Sequence, residues 1–311
     1  MKILVYGGTR FIGKEFVSRL LTAGHRVTVV SRRAAMQHSN LTVLHCEREE
    51  AVEYLVRQDF DQVVDFMAYD IDAVRSATGL MQDAPYLFLS TAWIDMFENG
   101  GRSFLPHEAS YVSRKREAES FLEDLFRAGK KVSICRLPVT LGEEDHTERF
   151  KFYAQRVYSN KLLILPDGGE QISKFAFKGD VSCALAAFIE FENKCDSLIF
   201  DAHPIQSISL AQMTKIMARA LGSDLRQVAI SKKRLADQFP DYLKFDPLWR
   251  EGSYSQKRPN LFTYTGSAVT SYEEWVSKLA KKPEMIKVKS KNIWLTQKFL
   301  KREQAFAIAN S

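Results

Sequence analysis

Four cysteines in 311 residues are too few for a disulfide framework. Cys46, Cys135, Cys183 and Cys195 have no close spacing, and three of them stand in apolar stretches, so neither a zinc site nor a stapled fold is expected. No apolar run approaches the roughly 20 residues that span a bilayer; Cys183 to Ile189, among the longest, is far too short. Met1 leads straight into strand-like residues, without the charged and apolar stretch of a secretory leader. These absences together point to a cytoplasmic protein with no transmembrane segment. Internal repeats and low-complexity tracts are missing as well, which argues against a solenoid or a disordered scaffold. Histidine is sparse and scattered. His107, four residues before Tyr111, reads most simply as a loop residue.

What is present suits a packed α/β protein. The chain is 45% hydrophobic and 26% charged, enough for one large unit or two closely joined lobes. Its net charge of +6 is local: residues 278–302 hold nine Lys or Arg against one Glu, leaving about −2 for the remainder. A broad nucleic-acid footprint over the body is therefore not expected.

The most informative stretch is ILVYGGTRFIG at residues 3–13. Ile3 to Tyr6 suit a buried parallel strand. Gly7 and Gly8 permit a sharp turn and a close backbone approach, and Gly13 leaves room for helix against strand. A helix is expected from about Arg10 to Ala23, with Phe11, Ile12, Phe16, Val17, Leu20 and Leu21 on its apolar face and Gly24 as C-terminal cap. Arg26 to Val30 then form a second strand. Such a strand, glycine turn and helix place a helix N-terminus where it can hold a pyrophosphate. Arg10 stands where the middle glycine of a dinucleotide fingerprint would lie. Beyond the second strand, where an acid would serve the ribose of NAD, the chain has Ser31, Arg32 and Arg33. Arginine attracts a 2′-phosphate that an acid repels, so NADP is favoured, with NAD the alternative.

Strands and helices keep alternating. Leu41–His45, Asp61–Phe66, Tyr86–Ser90 and Lys131–Arg136 read as further strands, with helices near 49–57 and over 111–128, the latter ended by Gly129. This order predicts a doubly wound parallel sheet covered on both faces. After Leu137 the rhythm changes. A helix at 150–159, a strand at 162–165, a helix at 181–191, a strand at 197–200 and a helix capped by Ser209 and running to about Leu221 suggest a smaller interleaved lobe. The expected division assigns 1–145 and 176–205 to a dinucleotide-binding core, 146–175 and 206–285 to a substrate-binding lobe, and 286–311 to a basic amphipathic tail.

Tyr111 and Lys115 are four apart at the start of the expected helix and so share a face. It is the only such Tyr–Lys spacing in the chain. A lysine ammonium lowers the pKa of a nearby tyrosine, which can then exchange a proton with a substrate oxygen. The preceding strand ends Phe88-Leu89-Ser90-Thr91, and strand C-termini are where open α/β sheets bind ligands.

GGTRFIG at 7–13, FLST at 88–91, YVSRK at 111–115, Arg136-Leu137-Pro138 and Leu141-Gly142 occur here in the order seen in one family. The chain resembles the extended and atypical short-chain dehydrogenase/reductases, specifically the NAD(P)-dependent epimerase/dehydratase group, over about residues 1–280, with SYEEWVSKL at 271–279 similar to the family's closing helix. The resemblance implies a Rossmann-type fold and an enzyme acting on a hydroxyl or carbonyl of a small molecule, with nucleotide sugars favoured. It implies Tyr111 as acid/base, Lys115 as its partner on the nicotinamide ribose, and Thr91 as the hydroxyl, with Ser90 as the neighbour able to substitute. Cofactor contacts would fall on Gly7, Gly8, Thr9, Arg10, Phe11, Ile12, Gly13, Ser31, Arg32, Arg33, Ala68, Ser90, Tyr111, Lys115 and Leu137. Arg10 and the lack of a counterpart to the family's asparagine are departures, since Asn99 is the only asparagine between Phe66 and Tyr111.

The tail interleaves Ile293, Trp294, Phe299, Leu300, Phe306 and Ile308 with lysines. Packing on its own domain or contact with a second copy in a homodimer is favoured; binding of nucleic acid or an anionic surface is the alternative. That alternative would make the chain a non-catalytic dinucleotide-binding or RNA-binding regulator on the same fold.

Overall fold

The computed structural model describes residues 1–33, 37–80, 84–100, 106–145, 147–159, 161–191, 197–203, 207–245, 258–282 and 296–311. Two compact units divide the chain: Met1–Thr140 with Phe175–Pro204 and Ser253–Val269, and Leu141–Lys174 with Ile205–Gly252 and Thr270–Ser311. The sequence predicts a second lobe that runs unbroken across 206–285. In the structure Leu261 and Phe262 enter the core of the first unit.

The first unit is built on seven strands: β1 (Lys2–Tyr6), β2 (Arg26–Val30), β3 (Leu41–Leu44), β4 (Gln62–Asp65), β5 (Tyr86–Thr91), β6 (Val132–Leu137) and β7 (Ile199–Asp201). They lie in the order β7-β6-β5-β4-β1-β2-β3, each pair parallel. Its helices are α1 (Phe11–Thr22), α2 (Val52–Leu55), α3 (Ile71–Gly79), α4 (Trp93–Glu98), α5 (Pro106–Arg127), α6 (Lys178–Glu190) and α7 (Leu261–Thr265). Apolar residues run almost unbroken along the central strands because both faces are covered. Ile3, Val5, Leu87 and Leu89 pack against Phe16 and Leu20 of α1, Leu185 of α6 and Phe262 of α7. Leu4, Tyr6, Tyr86 and Phe88 face the other way, onto Leu55, Val74, Ala118 and Leu122 of α2, α3 and α5. This is the doubly wound Rossmann-type sheet the alternation predicts. Strand order reverses between β1 and β4, so the switch point lies beside Gly7 and Phe66.

Three local details differ from the sequence reading. The helix carrying Tyr111 begins at Pro106, placing the tyrosine more than a turn inside it; a proline at the first helical position loses no hydrogen bond. The helix expected over 49–57 is reduced to Val52–Leu55. Ile71–Gly79, not foreseen, is a helix capped by Asp70, whose carboxylate accepts from the Ala73 amide at 2.9 Å.

In the second unit Leu162–Pro166 pairs in parallel with Arg226–Ile230. The helix Leu210–Leu221 has the predicted Ser209 cap and end; it begins with a reciprocal capping box between Ser209 and Gln212 and closes at Gly222. The helix Gln297–Ile308 is held here. Glu303 and Arg156 are wholly buried and doubly hydrogen-bonded, at 2.6–2.9 Å. The Gln304 amide accepts from the Leu162 N–H at 3.0 Å and donates to its carbonyl at 2.9 Å. Phe299 stacks on Phe239 with ring centres 5.5 Å apart. Ile293 and Trp294 lie outside the described residues.

Candidate active site

The turn after β1 needs glycine at two points for separate reasons. Gly7 has φ +89°, a conformation side chains resist, and its N–H donates to the Val30 carbonyl at 3.1 Å. A Cβ on Gly13 would stand 2.6 Å from the Gly7 carbonyl oxygen and 3.2 Å from the Gly8 Cα, both backbone atoms. Helix α1 therefore packs against the turn with no room for a methyl group. Gly13→Ala is expected to destabilise by about 1–3 kcal/mol through overpacking, read as a lower urea midpoint.

The N-terminus of α1 has the features of an anion site. Arg10 is its N-cap residue, in extended conformation, and its side chain makes no capping bond; the first turn holds no acid. The first-turn amides and the positive end of the dipole suit a pyrophosphate. Beside them, Thr9 Oγ1 and Ser31 Oγ are 2.8 Å apart, joining the turn to the end of β2. Ser31 Oγ also accepts from the Arg33 amide at 3.2 Å. Arg10, Arg32 and Arg33 are exposed. Arg32 reaches Glu47 at 3.4 Å, a solvent-exposed pair and hence a weak one. Ile12 is partly buried against the core, and its carbonyl accepts from Ser182 Oγ at 3.1 Å, so its side chain serves packing. The residues present fit the phosphates of a dinucleotide.

The other end of the site gathers around Lys115. Its ammonium is 2% exposed and donates to the carbonyls of Ala68 and Leu89, both at 2.7 Å. It lies 4.4 Å above the Phe88 ring and 6.0 Å from the centre of the Tyr111 ring. Burial pushes its pKa down to about 8, while Asp65 and Glu119 pull it up. Tyr111 sits one turn before Lys115 on α5, with the Tyr69 ring 6.3 Å and the Trp93 ring 6.5 Å away. Tyr69 is itself 43% exposed.

The hydroxyls at the end of β5 differ in their bonding. Thr91 Oγ1 accepts from the Trp93 amide at 3.2 Å and keeps its proton to donate. Ser90 Oγ is buried without a protein partner. Ser90 pairs in register with Arg136, and Thr91 with Leu137, whose carbonyl accepts from the Ala92 amide at 2.9 Å. Ala68 is fully buried, and its carbonyl is taken by the Lys115 ammonium. His107 lies in α5, and its side chain is outside the described residues.

Two buried charge networks escaped the sequence reading. Arg136, at the end of β6, donates to both carboxylate oxygens of Glu119 and to Asp95. Arg258 bonds Asp95 and Asp201, the latter at 3.1 Å. The second network centres on Asp65 and Arg48, 2.7 and 2.9 Å apart at their two hydrogen bonds. One signal could have found it: an aspartate ending the otherwise apolar Val63-Val64-Asp65. Among the described residues, no cluster of His, Cys, Asp and Glu suits a metal, and no helix is long and apolar enough to cross a membrane.

Comparison with known proteins bears on the family and the fold. Residues 3–84 match the NAD dependent epimerase/dehydratase family. No curated protein sequence matches the chain. Among solved structures, dTDP-glucose 4,6-dehydratase from Bacillus anthracis, in complex with NAD, is similar at TM-score 0.67 and 15% identity, over 91% of this chain and 96% of that one. UDP-glucose 4-epimerase from Thermotoga maritima, with UDP-glucose, aligns at TM-score 0.65 and 17% identity, over 90% and 98%. UDP-glucuronic acid 4-epimerase from Bacillus cereus, in complex with UDP-glucuronic acid and NAD, aligns at 0.65 and 14%, over 91% and 99%. At these identities the likeness establishes the fold. The family match supports the resemblance read from the motifs over residues 3–84, and the solved structures share the Rossmann-type fold that the resemblance implies.

Proposed function

We propose that the chain is an NAD(P)-dependent enzyme acting at a hydroxyl or carbonyl carbon of a small molecule, as an epimerase, dehydratase or reductase. The observation that carries this reading is the pairing of Tyr111 with a buried, carbonyl-bound Lys115 at the same strand ends as the glycine turn. Tyr111 would take the proton of a substrate hydroxyl and return it to the product oxygen. Lys115, as an ammonium, would stabilise the phenolate and hold the nicotinamide ribose. Thr91 would donate its hydroxyl proton to the same substrate oxygen. When bound, the nicotinamide accepts and returns a hydride. A nucleotide sugar is the substrate class supported by the fold comparison, since the epimerases and dehydratases named above carry such substrates in their names.

The dinucleotide we propose is NADP rather than NAD. Arg32 and Arg33 follow β2 where an acid would disfavour the 2′-phosphate, and the weak pair with Glu47 leaves Arg32 able to turn to it. A charge-assisted contact of about 1.5–3 kcal/mol predicts roughly ten- to hundredfold tighter binding of NADP. Calorimetric titration with both dinucleotides tests it, and equal affinity or a preference for NAD would refute it. Incubation with nucleotide sugars then tests turnover. A dinucleotide retained unchanged through each cycle indicates an epimerase or dehydratase; one consumed stoichiometrically indicates a reductase.

A further inference from the structure

Asp65 is the last residue of β4, at the switch point of the sheet, with no exposed surface. Its carboxylate takes five hydrogen bonds. Oδ1 accepts from the Met67 and Ala68 amides, both at 2.8 Å, and from Arg48 at 2.9 Å. Oδ2 accepts from Arg48 at 2.7 Å and from the Tyr86 hydroxyl at 2.9 Å. The Arg48 guanidinium in turn lies 3.9 Å over the Tyr6 ring. A buried ion pair is a poor way to gain stability, because apolar residues of similar volume serve as well or better. The two amide bonds suggest another use. They fold the chain back at the end of β4, so that the Ala68 carbonyl meets the Lys115 ammonium at 2.7 Å. Tyr69, the next residue, packs against Tyr111.

We propose that Asp65 is a positioning residue for the Tyr111–Lys115 pair, holding the Lys115 ammonium in place through the Ala68 carbonyl, with its own carboxylate held by Arg48. The proposal rests on the reading of Tyr111 and Lys115 as acid/base and partner. The Tyr69, Phe88 and Tyr111 rings lie around the Lys115 ammonium, and the charges that act on it are Asp65 from β4, Glu119 from α5, Arg48 from the segment after β3 and Asp70 from the segment before α3. Asp65 is the largest influence holding Lys115 protonated against burial, and Arg48 opposes it. A carboxylate that merely capped a turn could be replaced by a neutral isostere with no effect on Lys115.

The test is the titration of Lys115 in ¹³C-lysine-labelled full-length protein, its signal assigned with Lys115→Arg. Asp65→Asn should lower the Lys115 midpoint by roughly one unit or more. If that variant does not fold with Arg48 unpaired, Asp65→Asn combined with Arg48→Met removes both charges and should still show a lower midpoint. An unchanged Lys115 midpoint in whichever variant is folded overturns the proposal. Turnover is measured alongside: with an active wild type, the alkaline limb of kcat should move with the Lys115 midpoint. An inactive wild type would count against the enzyme reading, while the titration would still decide the role of Asp65.

Discussion

Tyr111→Phe should reduce turnover by roughly 10²- to 10⁴-fold while dinucleotide affinity stays within about twofold of the unmodified protein. Only the phenolic oxygen is removed. The ring keeps its neighbours Tyr69 and Trp93, and Lys115 keeps both carbonyls, so neither the fold nor the cofactor end has reason to change. Thr91→Val should cost less, since it removes one hydrogen bond and leaves the proton carrier. The comparison is kcat with an identified nucleotide sugar, beside dinucleotide titration of each variant. Unimpaired turnover in Tyr111→Phe would remove the acid/base assignment.

The second large effect is expected far from that chemistry. Glu303→Gln should destabilise the protein by about 3–5 kcal/mol, because it leaves the wholly buried Arg156 guanidinium without a counter-charge. Arg156 also donates to the Phe152 carbonyl and lies 3.6 Å from the Phe152 ring, so it cannot turn out to solvent without losing those contacts. Replacing both partners with apolar residues, Arg156→Met with Glu303→Leu, should recover most of the loss. Ending the chain before Thr296 should destabilise at least as much, since it also uncovers Phe239 and frees the Leu162 backbone. Dinucleotide affinity should be little changed. Urea denaturation decides: a midpoint unchanged by Glu303→Gln would mean that the pair does not hold the terminal helix.

The first 33 residues were legible in the sequence because the forces that shape them are local. Ile3 to Tyr6 form a strand through their own apolar run, Gly7 turns because it tolerates a positive φ, and Gly13 is small because the helix returns within a few residues. The Tyr111 and Lys115 pairing was legible for the same reason, since four residues along a helix is a local distance. The start of that helix was not: Pro106 reads equally well as loop or as first helical residue, and neighbours decide between them.

Other features depend on chain segments that meet only on folding. Asp65 finds Arg48 seventeen residues away and Tyr86 twenty-one away, and no local pattern names such partners. Arg156 and Glu303 are 147 residues apart, and their contact gives the basic terminal helix a fixed place in the second unit. The Asp201 amide bonds the Pro259 carbonyl, which draws a late segment into the first unit. The sequence by itself determined the alternating elements, the glycine turn and the tyrosine–lysine spacing, because backbone sterics and side-chain periodicity act over a few residues. Which buried charges are paired, and through them how Lys115 is held, was decided by the tertiary structure. Burying a charge is tolerable only where a distant segment supplies its partner.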